Sequence, residues 1–129
     1  TIHRAAIAAF WSSGSVMLPA PRRLYYPART ITQIEEMKRR SAETSNSDLD
    51  PKIFGVSDDS ICAQIDISGY ASRKRSGIYA HRSQFGTEER INELLNDRPD
   101  FFKFETFVLG GVRGGFPAHR LNDLFEELV

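Results

Sequence analysis

The stretch 61–67, ICAQIDI, alternates without interruption: Ile61, Ala63, Ile65 and Ile67 fall on one side, and Cys62, Gln64 and Asp66 on the other. Only an extended chain places every second side chain on the same face, so this run predicts a half-buried strand. Ser68 follows where a helix cap belongs. Beyond it Ala71, Lys74, Ile78, His81 and Phe85 recur at spacings of three and four, the stripe of a helix running to about residue 85. A strand that feeds directly into a helix commits the chain to a fold in which both kinds of element share a core.

The remaining segments agree with that commitment. TIHRAAIAAFWSS at 1–13 reads as a helix, with Ile2, Ala6, Ala9 and Phe10 on one stripe and Gly14 ending it. Leu24, Tyr25 and Tyr26 form a short apolar strand stopped by Pro27, and Thr30 with Gln33 has the form of a capping box for a helix through Arg40. Residues 41–52, SAETSNSDLDPK, are nearly free of apolar side chains and predict a surface loop. Thr87, Glu88 and Glu89 open another helix through Leu95, FFKFETFVL at 101–109 is strongly strand-prone, and GGVRGG at 110–115 reads as a flexible turn. NDLFEELV at 122–129 predicts a short capped helix. The class is α/β, with strands and helices interleaved.

At 129 residues, the chain has room for one hydrophobic core. Seventeen basic residues balance seventeen acidic ones, which provides no global field for a nucleic acid or an anionic membrane. No apolar run approaches a membrane span, and a single cysteine, Cys62, rules out an internal disulfide framework; a cytoplasmic setting is expected. Three histidines, at 3, 81 and 119, stand in no metal-ligand spacing, and neither a GxSxG elbow nor a phosphate-binding glycine loop is present. Thr1 at the start of the sequence raises the alternative of an N-terminal nucleophile, although such a nucleophile is normally presented on a strand. In the turn that closes helix 68–85, His81 is joined by Arg82, Ser83 and Gln84. Two roles are open to these residues: capping the helix carbonyls and complementing its dipole, or lining a pocket.

The run IDISGYASRKRSGIYAHRSQF resembles the VDVSEY…K…AL.AHRSQ run of the C-terminal half of LmbE-like, or PIG-L-type, zinc-dependent de-N-acetylases. LYY resembles that family's K-L-Y-Y strand, FETFVL its E-x-F-x-L strand and NDLFEEL its terminal D-L-F-x-G-L, while TIHRAAIAAF looks like the helix following its central metal motif. The resemblance implies the C-terminal half of a Rossmann-like layered fold spanning residues 1–129. It implies hydrolysis of an N-acetyl group on a small-molecule amino-sugar conjugate, and zinc as the cofactor. His81, Arg82 and Gln84 become candidates for substrate-binding or pocket positions.

The family's His-Pro-Asp-Asp and His-Pro-Asp-His motifs, which supply the metal ligands and the general base, do not occur in this sequence. The zinc ligands are therefore expected outside it, and the chain alone is expected to be inactive. The competing expectation is a non-catalytic binding or assembly module descended from the same fold. With the family's first strands missing, strands 61–67 and 104–109 are expected to leave an unpaired edge or an uncovered apolar face, which would favour a homo-oligomer.

Overall fold

In the computed structural model, residues 2–16, 19–40, 50–96 and 99–128 are described. The helices are α1 (Ile2–Val16), α2 (Ile31–Arg40), α3 (Pro51–Phe54), α4 (Ala71–Ala80), α5 (Arg82–Phe85) and α6 (Glu88–Asn96). The strands are β1 (Arg23–Pro27), β2 (Ala63–Asp66) and β3 (Phe104–Val112), and short 3₁₀ turns lie at Asp58–Ser60, Ser68–Tyr70 and Pro99–Phe102. The fold is mixed α/β. Its three-stranded sheet has the order β1-β3-β2, and both neighbouring pairs are antiparallel.

The last strand in sequence is thus the central one. Tyr25 lies opposite Leu109 and Ala63 opposite Phe107, with a bulge between Leu24 and Tyr25. The outer edge of β2 is partly covered by the segment around Leu121, whose N–H donates to the Cys62 carbonyl at 2.8 Å and whose carbonyl accepts from the Gln64 N–H at 2.9 Å. Phe10, Ile34, Ile61, Ala63, Ile91, Leu95 and Leu121 form the buried core.

The capping box at the start of α2 is present as expected: Thr30 Oγ1 accepts from the Gln33 N–H at 3.1 Å and Gln33 Oε1 from the Thr30 N–H at 2.9 Å. Several other expectations shift. Gly110 and Gly111 belong to β3 rather than to a turn. A Cβ at Gly111 would stand 2.8 Å from the Phe10 ring, and one at Gly110 would enter the Tyr26 ring, so both are glycine because aromatic rings sit on the strand. The turn begins only at Gly114, which adopts a positive φ of 94°.

The strand starts later than expected, at Phe104, because 99–102 form a 3₁₀ turn closed by the Lys103 N–H on the Asp100 carbonyl. Gly14 does not end α1; it leaves space for the Arg113 guanidinium, which lies 4.8 Å from the Phe10 ring centroid and donates to the Phe10 and Trp11 carbonyls. Of the expected α1 stripe, only Phe10 is buried, and Ile2 is 90% exposed.

Thr1 and residues 41–49 of the expected loop lie outside the described residues. Its end, however, is helical: the Asp50 side chain caps the Lys52 N–H at 2.9 Å and Pro51 occupies the first turn of α3, where its missing N–H costs nothing. The C-terminal helix expected over 122–129 is a series of turns in the described part. Carbonyls that a helix would use internally are taken by β1, with the Tyr25 hydroxyl donating to Leu124 O at 3.0 Å and Arg23 to Glu126 O at 2.7 Å.

Replacing Gly111 with Ala forces Phe10 off β3 and lowers stability by about 1–3 kcal/mol. Gly115→Ala, where a Cβ meets only open space, leaves the chemical-denaturation midpoint nearly unchanged.

Candidate functional site

The unit that carries the sequence candidates begins where β2 ends. Asp66 Oδ1 accepts the Ser68 N–H at 2.8 Å, and the hydrogen bonds from the Ser68 N–H and then its side chain hold the Asp66 carboxyl below its ordinary value. Asp66 therefore fixes the Ser68–Tyr70 turn. Ser68 makes no side-chain capping bond to α4, whose flanking residue is Tyr70.

Lys74 ties the middle of α4 to the sheet. Its Nζ donates to the Phe101 carbonyl at 2.7 Å, pairs with Glu105 Oε1 at 3.1 Å and lies 3.9 Å from the Phe101 ring centroid. Phe101 and Phe102 meet edge to face with centroids 5.4 Å apart, and Arg29 and Arg75 cover them from the side at 5.8 and 4.9 Å. Burial pulls the Arg29 guanidinium below its ordinary value. A long cationic side chain laid over an aromatic ring keeps its apolar stem out of water while its charge meets the ring face. Tyr79 reaches the next helix, with its hydroxyl 2.5 Å from Asn92 Oδ1 on α6.

The helix expected as one piece from 68 to 85 breaks at His81, where φ is −94° and ψ is 25°. Its N–H bonds back to the Ile78 and Tyr79 carbonyls, its carbonyl starts α5 by accepting the Gln84 N–H at 2.9 Å, and Gly86, at φ 94°, ends that turn. This tighter step turns the backbone off the buried stripe. His81 is consequently exposed, against the expectation of a position on or beside the buried face, and Arg82, Ser83 and Gln84 are exposed with it. The Phe85 side chain, the last member of the expected stripe, lies outside the described set.

The structure thus gathers His81, Arg82 and Gln84 in one surface turn directly after α4. This exposure excludes a packed core histidine and is compatible both with a helix-end role and with contact to a partner or ligand. His3 stacks on Tyr26 with centroids 4.5 Å apart, next to a Tyr26 hydroxyl that is buried without a hydrogen-bond partner among the described residues. Cys62 donates from Sγ to the Phe107 carbonyl at 3.3 Å, and burial pushes its thiol up, which is the environment of an inert cysteine.

A second polar cluster carries no sequence signal. His119, Glu126 and Glu127 stand seven and eight residues apart but meet through turns rather than on a helix face, and they converge with Arg23 and Tyr25 of β1 only through the fold.

The residues present do not fit the zinc that the resemblance implies. No group of three or more His, Cys, Asp or Glu among the described residues is arranged to hold a metal ion, and both nitrogens of His119 already face carboxylates. Among the described residues, no helix is long and apolar enough to cross a membrane. Neither a protein-family model, nor a curated protein, nor a solved structure matches this chain.

Lys74→Met removes a hydrogen bond, an ion pair and a ring contact together, and is expected to cost about 1–3 kcal/mol in urea unfolding. The isolated 129-residue chain is expected to retain no stoichiometric zinc after dialysis, measured by metal analysis.

Proposed function

We propose that this chain is the C-terminal part of a PIG-L/LmbE-like de-N-acetylase, which removes the N-acetyl group from an amino-sugar conjugate. In this reading the three-stranded sheet belongs to a larger Rossmann-like layered sheet. The zinc ligands and the general base come from sequence outside these 129 residues, so the chain by itself is inactive.

The observation that carries the reading is the break at His81. The AHRSQ run is the most distinctive part of the resemblance, and in the fold it is a kinked turn that presents His81, Arg82 and Gln84 outward. A helix end needs only one cation to complement its dipole, whereas three different polar side chains on one exposed turn suit recognition of a hydroxylated ligand. Lys74, in the same run, anchors α4, the helix that leads into that turn, to Phe101 and Glu105.

A second reading, a non-catalytic assembly module of the same descent, draws on the exposed apolar side chains. Ile2 and Val16 at the two ends of α1 are 90% and 81% exposed, and Phe116 and Phe125 are each 77% exposed. Under that reading the purified chain sediments as an oligomer at micromolar concentration and no longer chain containing it releases acetate.

The deciding experiment assays the full-length product of the coding sequence, loaded with zinc, for acetate release from an N-acetylglucosaminyl conjugate. Release is expected, and its absence overturns the deacetylase reading. In that enzyme His81→Asn lowers kcat/KM by roughly tenfold or more while the melting temperature and zinc content hold. Unchanged kcat/KM in the folded variant removes His81 from the pocket.

A further inference from the structure

His119 sits between two carboxylates. Its Nε2 is 2.8 Å from Glu126 Oε1 and its Nδ1 is 3.2 Å from Glu127 Oε1. A neutral imidazole carries one N–H, so it can donate to only one of them and must turn a lone pair towards the other. Only the doubly protonated ring satisfies both contacts.

The cluster closes a specific piece of chain. Glu126 Oε2 accepts the Asn122 N–H at 2.8 Å, which folds 119–127 back on itself. From β1, Arg23 pairs with Glu127 Oε2 at 3.7 Å and donates to the Glu126 carbonyl, and the Tyr25 hydroxyl donates to the Leu124 carbonyl. Arg22 reaches the Leu128 carbonyl. Between these anchors lies Leu121, which is fully buried and covers the outer edge of β2. Glu127 is held at φ 60°, a left-handed conformation that a glutamate adopts only when its surroundings offset the strain.

We infer that residues 119–128 form a pH-responsive strap, closed on β1 and the outer edge of β2 at mildly acidic pH and loosened above neutrality, with His119 as its sensor. The charged groups that face His119 are Glu126 and Glu127 from the strap, and Arg23 lies behind Glu127 from β1. Loss of the imidazolium leaves two adjacent carboxylates with Arg23 as their remaining cation among the described residues. The inference stands apart from the deacetylase reading.

The direction follows from both partners. The hydrogen bond to Glu126, followed by the charges of Glu126 and Glu127, raises the His119 pKa above its ordinary 6.5. Its contribution is complete below 6.5 and is lost as pH rises through the folded value. Hydrogen bonds from the Asn122 N–H and then His119 hold Glu126 below its ordinary 4.5, so its contribution is complete above 4.5 and is lost as pH falls through the folded value. The strap is tightest between those two ordinary values.

Hydrogen exchange at the Leu121 and Gln64 amides, which bond across the strap and β2, reads the closure directly. Corrected for intrinsic rates, their protection should fall about threefold between ~pH 5.5 and ~pH 8.5, while the Ile34 amide in the core holds steady. His119→Gln, at an exposed position, and Glu126→Gln, at a half-buried one, should both flatten that dependence. The inference is overturned if protection is flat in the wild type, if the dependence survives in His119→Gln, or if the Ile34 amide changes in parallel.

Discussion

Everything in this fold leans on how closely two aromatic rings approach the central strand. Phe10 packs against Gly111 and Tyr26 against Gly110, at positions where any side chain would occupy the space of the ring. The contact at Gly111 docks α1, because Phe10 is the one residue of that helix that is buried. Arg113 completes the attachment, lying over the Phe10 and Trp11 rings and binding the α1 carbonyls. With few large side chains in the core, a close approach that removes water from whole ring faces contributes more than any single hydrogen bond.

Local chemistry was readable wherever the interaction is local. The Thr30 and Gln33 capping box and the helix opened by Glu88 lie where residue spacing places them, and the alternating run 61–67 is a strand over its middle, Ala63–Asp66, since each is decided within a few residues. The misreadings share one cause. GGVRGG looked like a turn because glycine is permissive, yet Gly110 and Gly111 are glycine on account of rings contributed by 10 and 26. NDLFEEL carries helix-like composition, but Arg23 and Tyr25 compete for its carbonyls from the far end of the sequence. Such contacts have no periodicity to detect.

The candidate site was half legible for the same reason. Spacing grouped His81 with Arg82 and Gln84 in the final turn of a helix, and the fold keeps them together. Spacing also assumed a regular helix, and the irregular step at His81 turns the group outward. Lys74 was visible as a member of the stripe, whereas its link to Phe101 and Glu105 depends on a 3₁₀ turn and a strand far along the chain. The strap at 119–128 was hidden entirely, because its partners come from opposite ends of the chain.

The strand order has a consequence for how the chain reaches this state. β3 is the shared partner of both other strands and is the last of them to be synthesised. On a ribosome, β1 and β2 emerge with no neighbour to accept their hydrogen bonds, and Arg23 waits for Val112 before the register is set. Assembly of the sheet is therefore delayed until β3 is available and depends on contacts of large sequence separation. Until β3 arrives, Tyr26 lacks the Gly110 surface it packs on, and the apolar run Leu24, Tyr25 and Tyr26 of β1 is open to association.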